Sequence, residues 1–263
     1  MKALLVLLHA ALNHWFGAPV TALLLALHLH PTDPVAPISE TYTLELFIAA
    51  LLLLFFIVAR ATLDVERPGP VQWAAEWINE FVTGQASAVM DRGYETHLPF
   101  VTTILLFVLA CNLFGLLPGI DTPTANPVVP LAIAALTFLY YNFYGVKAQG
   151  IIGYIKHFMG PVWWLSPLLF PVEIISHLSR VVSLTIRLYA NMFASDMLTL
   201  VFFSMVPLGF PIVFLGLHLG VAFIQAYVFM LLAIIYLSIA TTHEEHEKHE
   251  ESGSHEAKVA EAH

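Results

Sequence analysis

Residues 166–206 read SPLLFPVEIISHLSRVVSLTIRLYANMFASDMLTLVFFSMV. The run contains no glycine, and its prolines, Pro167 and Pro171, fall in the opening turns, where a helix tolerates them best. A continuous helix of about 40 residues is roughly 60 Å long at about 1.5 Å per residue, twice the roughly 30 Å depth of bilayer hydrocarbon. Residues 209–240 would form a second helix of about 48 Å by the same rise. Steep tilt or kinking relieves an excess of that size. The sequence therefore predicts two long inclined helices joined by the VPLGFP turn at 206–211.

Composition places these helices in a membrane. Of 263 residues, 59% are hydrophobic and 11% are charged, where a soluble domain carries about 25% charged residues. The mean hydropathy is +0.79. The apolar runs are long and continuous, not alternating, which argues against a β-barrel. The expected fold is an all-α polytopic membrane protein. It has upright spans, a hairpin of two long, strongly tilted helices, and an interfacial amphipathic helix.

Working outward, residues 41–60, TYTLELFIAALLLLFFIVAR, form a span. VQWAAEWINEFV follows, with Trp73, Trp77 and Phe81 at i, i+4 and i+8. That aromatic stripe suits a helix lying among headgroups, with packing against other protein as the alternative. A second span covers about 98–117 and stops at Pro118 and Gly119 before the polar turn IDTPTANP. A third runs over about 128–145. Residues 146–165 hold Lys147, Lys156, Phe158, Trp163 and Trp164, and read as an interfacial connector. Cys111, the single cysteine, lies in an apolar run and reads as a small buried core residue.

The ends differ from this domain, which occupies 41–242. Residues 1–40 form an N-terminal segment with three open readings: a signal-like core, an interfacial helix or an extra span. Residues 243–263 carry seven acids and two lysines, more than half of the net charge of −9. That acidic, His-rich tail is expected to be disordered and solvated, and its histidines suit adventitious metal binding at most. Arg60, Arg67, Arg92, Lys147 and Lys156 all fall in the two loops on one side, while the opposite loop, 118–127, has Asp121 and no base. The positive-inside rule makes the basic side cytoplasmic, and the tail with it.

Within 166–206, polar residues follow a helical period. Glu173, His177, Arg180, Arg187 and Asn191 are spaced 4, 3, 7 and 4 and fall within about 80° of arc. Ser176 and Ser183 border that face, and Asp196 points about 140° from Asn191. On the next helix His218, Gln225 and Tyr236 share a face. Asp196 lies ten residues before the turn and His218 seven after it, so an antiparallel hairpin brings them to similar depth. A carboxylate beside an imidazole can pass protons.

Each residue also has a plainer reading. Glu173 and Arg180 could neutralise each other across two turns, or Arg180 could snorkel to an interface. His218 could be a core histidine, and Gln225 a helix–helix hydrogen bond. Arg187 fits neither plain reading well. It has no acid at i±3 or i±4, and a central charge costs about 2.5–3.5 kcal/mol on insertion scales. Its compensation points to another polypeptide.

SLTIRLYANMFASDML at 183–198 and HLGVAFIQAYVFMLLAIIYLSIATTHEEH at 218–246, with NLFGLLPGIDTPTAN at 112–126 and PVEIISHLSR at 171–180, resemble subunit a of the F-type ATP synthase membrane sector. The resemblance covers about residues 40–243. It implies a stator facing a ring of small hairpin subunits of the c type, each with one membrane carboxylate. It also implies b-type peripheral-stalk subunits, the rest of the synthase complex, and a bacterial-type plasma or inner membrane. By position it implies that Arg187 is the stator arginine. Asn191, Asp196, His218 and Gln225 then belong to an outer proton half-channel, and Glu173, Ser176 and His177 to an inner one. Ala190 and Ser195 stand where many relatives have Gly, Asp196 where many have Glu or His, and Val181 where Pro is common. These departures bear on the outer route and do not touch Arg187.

No GxxxxGK[ST] phosphate loop occurs, so nucleotide chemistry is expected on other subunits. No cofactor, resident metal or nucleic-acid partner is called for. The imidazole in the outer route favours protons over sodium as the coupling ion, since sodium ligands would sit mainly on the rotor. An ion-coupled secondary transporter is the competing class. It predicts internal repeats and helices broken at mid-membrane.

Overall fold

A computed structural model describes residues 2–26, 38–64, 68–90, 93–117, 120, 122–159, 166–205 and 210–241. Their regular structure is all helical, without strands among the described residues. The helices are α1 (Lys2–Ala26), α2 (Glu40–Ala61), α3 (Pro70–Val89), α4 (Leu98–Phe114), α5 (Val128–Met159), α6 (Ser166–Met205) and α7 (Phe210–Thr241). Single 3₁₀ turns lie at Tyr94–Thr96 and Pro123–Ala125. Four helices are long and apolar enough to cross a membrane, through the windows Ala3–Ala22, Glu40–Ala61, Val128–Lys147 and Ile212–Ala240.

Local chemistry sets the ends of α2. The Ser39 hydroxyl accepts a hydrogen bond from the Tyr42 amide at 3.3 Å, satisfying one orphan donor of the first turn. Glu40 opens the helix and Arg60 closes it, each suited to the helix dipole at its own end. Its 22 residues span about 33 Å. The second expected span, about 98–117, is shorter than read: α4 has 17 residues, ends at Phe114 before Gly115, and is not among the four helices long enough to cross.

The two long helices have the expected lengths. α6 runs unbroken for 40 residues and α7 for 32. Pro171 is tolerated inside α6 because it sits in the second turn, where little hydrogen bonding is lost. The third span ends near Lys147 as expected, with Val128–Lys147 long and apolar enough to cross. Helix carries on into the connector and resumes to Met159 beyond a break at Gly150, whose φ is 72°. A left-handed residue interrupts the ladder there, and glycine adopts it without steric cost. In the N-terminal segment α1 is one helix with Pro19 inside it, and Ala3–Ala22 has the length and apolarity of a span. Of the aromatic stripe on α3, Trp73 and Trp77 are 67% and 62% exposed, whereas Phe81 lies beside the Tyr227 ring of α7 at 6.0 Å between centroids. The turn at 206–209, Trp163, Trp164, Asp121, Arg67, Arg92 and the acidic tail lie outside the described residues.

The chain divides into two compact units. The first comprises 1–77, 106–126 and 189–226. Its interior holds Leu44, Ile48 and Cys111, with Leu5, Phe47, Phe107 and Phe114 packed around them. Phe47 and Phe114 meet edge to face at 6.0 Å between centroids. α1 is fastened to the chain before α2: Asn13 accepts from the Ile38 amide at 3.0 Å and donates to the Ile38 carbonyl at 3.2 Å. The buried Cys111 matches its reading as a core residue.

The second unit comprises 78–105, 127–188 and 227–263. Phe229, Met230, Ala233, Ile234 and Leu237 of α7 are buried in it. Phe100 stacks on Tyr140 at 3.6 Å, and the Tyr227 hydroxyl donates to Gln85 at 2.9 Å. In lipid no hydrophobic force separates helix from lipid tail, so close packing and such interhelical bonds hold the helices together.

Candidate functional site

The first unit contains a connected polar cluster in apolar surroundings. Asp196 on α6 places its Oδ1 3.5 Å from His218 Nδ1 on α7, with the two side chains 23% and 2% exposed. One and a half turns earlier on α6, Asn191 Nδ2 donates to Gln225 Oε1 of α7 at 2.8 Å. Moving from 191 to 196 on one helix moves the partner from 225 to 218 on the other. That opposite progression is the register of antiparallel helices, as inferred from the distances to the turn.

Asp196 meets a second neighbour, consistent with its 140° offset from Asn191. The Thr122 hydroxyl donates to Asp196 Oδ1 at 2.9 Å. Thr122 precedes the 3₁₀ turn Pro123–Ala125, which also supplies Thr124. The Thr124 hydroxyl donates to Asn112 Oδ1 at 2.6 Å, and Asn112 Nδ2 donates to the Ala222 carbonyl of α7 at 3.3 Å. Asn112, Thr122 and Thr124 are all buried. Gly115 makes this possible, because a Cβ there would overlap the Thr122 side chain.

Two buried nitrogens in the cluster, His218 Nε2 and Gln225 Nε2, have no hydrogen-bond partner within the described chain. A buried polar atom without a partner is costly, so their positions mark where a water or a partner group would bond most favourably. Chemically, the pair can relay a proton. The carboxylate accepts, and the imidazole has one nitrogen facing it and one facing away, each able to donate or accept according to the tautomer.

The second unit contains the remaining sequence-derived candidates. His177 Nδ1 lies 3.0 Å from the Tyr141 hydroxyl. Arg180 stands over the Tyr236 ring at 5.3 Å, a cation–π arrangement that the sequence reading did not include. Ser176 is half-buried and its carbonyl accepts from the Ser179 hydroxyl at 2.8 Å. Glu173 is within α6, but its side chain lies outside the described residues. Arg187 is exposed, and no carboxylate among the described residues pairs with it.

Sequence reasoning thus placed Asp196 with His218 by counting from the turn, but missed Thr122, Thr124, Asn112 and Tyr141. The run TPTAN carried the signal for the first two, as polar residues concentrated beside a span end. Its direction of bonding needs the fold.

The sequence matches the family described as ATP synthase A chain over residues 43–238. This chain belongs to the ATP synthase A chain family. The matched segment contains every side-chain pair just described and leaves out α1. Among curated proteins, ATP synthase subunit a of Koribacter versatilis is 51% identical over 234 residues, 89% of this chain and 96% of that protein. ATP synthase subunit a of Solibacter usitatus is 41% identical, covering 79% of this chain and 89% of its own. ATP synthase subunit a 3 of Pelobacter propionicus is 42% identical, covering 82% and 91%.

Proposed function

We propose that this chain is the stator subunit of a rotary ATP synthase, providing two offset proton half-channels to the carboxylates of a turning ring of small hairpin subunits. The observation that carries the proposal is the Asp196–His218 pair at 3.5 Å between antiparallel α6 and α7, with the imidazole buried and the carboxylate partly so. Its neighbours Asn191 and Gln225 extend the same polar line. A proton entering from outside passes by way of Asp196 and His218 and neutralises a ring carboxylate. The neutral site can then enter lipid, where an ionised one could not. After nearly a full turn it meets the inner half-channel near Glu173, Ser176 and His177 and loses its proton.

Arg187, exposed and without an acidic partner among the described residues, is the group that attracts the ionised ring carboxylate. At about 4 Å and an effective dielectric near 20 such a pair gains roughly 4 kcal/mol. An arginine stays protonated inside a protein, so it also interrupts direct proton passage between the half-channels. Each proton crossing 100 mV releases about 2.3 kcal/mol, which the rotor delivers to nucleotide chemistry on other subunits. The b-type peripheral stalk holds the stator still. The basic loops and the acidic tail face the cytoplasm of a plasma or inner membrane, and the coupling ion is the proton.

A secondary transporter with helices broken at mid-membrane fits less well, because α6 is unbroken over its 40 residues. Two measurements test the proposal. Gentle detergent extraction is expected to co-isolate a very hydrophobic ring-forming subunit. Vesicles with Asp196→Asn are expected to make ATP from an imposed proton gradient at a small fraction of the normal rate, with normal amounts of assembled complex. Isolation without a ring, together with an unchanged rate, would defeat it.

A further inference from the structure

We infer that Thr122 is a positioning residue for the outer proton route: its hydroxyl, admitted by the missing side chain of Gly115, holds the Asp196 carboxylate in line with His218. The inference rests on the proposed role of Asp196. It adds a residue from the loop after α4, 74 positions away in sequence.

Thr122 Oγ1 donates at 2.9 Å to Oδ1 of Asp196, and that same oxygen faces His218 Nδ1 at 3.5 Å. A carboxylate rotates readily about its last torsion, which is broad and two-fold. A hydroxyl fixed to one oxygen selects one rotational setting. Here the selected setting turns that oxygen toward the imidazole. The gap is longer than a finished hydrogen bond, so a small rotation of the carboxylate decides whether the pair exchanges a proton directly or through a water.

Thr122 is itself held firmly. It is buried, with 3% exposure, and its carbonyl accepts from the Ala125 amide at 3.0 Å, closing the 3₁₀ turn. The threonine methyl and Cβ lie against Gly115, where any Cβ would overlap them. Two features of different sequence segments therefore serve one hydrogen bond. Gly115 provides the space and Thr122 the donor. Thr122 is neither acid nor base in the relay, so its effect passes through Asp196.

The experiment uses the assembled synthase in membrane vesicles and measures ATP synthesis driven by an imposed proton gradient, as a function of the external pH. Thr122→Val keeps the shape and removes the donor, and Thr122→Ser keeps the donor. The expected result is a fall of about tenfold in rate for the valine form, the size of one lost hydrogen bond to a charged group. The external pH giving half-maximal rate shifts, and the serine form regains normal rate and profile. Gly115→Ala is expected to resemble the valine form, because it displaces Thr122. Immunoblots of assembled complex separate these effects from failed assembly, and the serine form keeps the test decisive if valine assembles poorly. Equal rates and pH profiles for Thr122→Val and the unaltered protein would overturn the inference, as would a serine form as slow as the valine form. Asp196→Asn is the reference. If it slows synthesis while Thr122→Val does not, only the positioning role fails. If Asp196→Asn is without effect, the outer-route reading falls and this inference with it.

Discussion

His218 Nδ1 and Asp196 Oδ1 lie 3.5 Å apart across two antiparallel helices, with the imidazole 2% exposed. Groups acting as one relay are lost together when either is removed. Asp196→Asn and His218→Ala are each expected to slow gradient-driven ATP synthesis by tenfold or more, by order of magnitude for an acid–base participant. The double substitution is expected to be little slower than either single one. Rates measured on all four proteins give the coupling directly, and additive losses would show that the two side chains act apart.

The Asn191–Gln225 bond at 2.8 Å links the same helices and should register as stability. Interhelical hydrogen bonds in membranes are worth about 0.6 kcal/mol on average and at most about 1.7. Asn191→Leu removes the donor and leaves buried Gln225 with an acceptor unmatched, in addition to its unpartnered Nε2. The expected loss is about 1 kcal/mol or slightly more. Asn191→Leu with Gln225→Leu should cost less than the two single changes combined. The midpoint of thermal dissociation of the purified complex reads both.

Gly150 and Gly84 differ in backbone and not in space. A Cβ would meet nothing at either Gly150 or Gly84, yet only Gly150 has a left-handed φ. Gly150→Ala is expected to destabilise by about 1–3 kcal/mol, because a φ of 72° with a ψ of 161° is essentially open to glycine alone. Gly84→Ala, inside α3, is expected to stabilise by about 0.5–1 kcal/mol. Thermal scans of the two variants should therefore move in opposite directions.

His97, just before α4, is buried against Tyr140 and Tyr144, and burial holds its pKa below the ordinary value of 6.5. With the folded value depressed, the unfolded chain binds the extra proton first. Stability is then fully present above pH 6.5 and is lost as pH falls toward the folded value. Acid should lower the thermal midpoint below that pH, and His97→Phe should flatten this part of the profile. A midpoint rising on acidification would contradict the sign.

Some of this was legible in the residues alone and some was not, for identifiable reasons. α2, α6 and α7 follow from length and apolarity, because a bilayer tolerates only internally satisfied backbone. The Asp196–His218 pairing followed from counting outward from the turn at 206–211, since helical rise converts sequence distance into depth. Thr122 could not be placed that way, because a loop residue has no periodicity to fix its direction. Arg180 over Tyr236 and Tyr141 at His177 were likewise hidden, since each joins segments whose packing no single-helix pattern encodes. Gly150 was read as part of a connector, although helix flanks it on both sides. A lone glycine in a helical pattern does not announce its φ.

The central claim is that Arg187 couples proton passage to rotation, and one measurement tests it most directly. Vesicles containing the synthase with Arg187→Ala are supplied with ATP and their internal acidification is followed. The account predicts complete loss of ATP-driven proton pumping, with the complex assembled in normal amount. Pumping at the unaltered rate would contradict it.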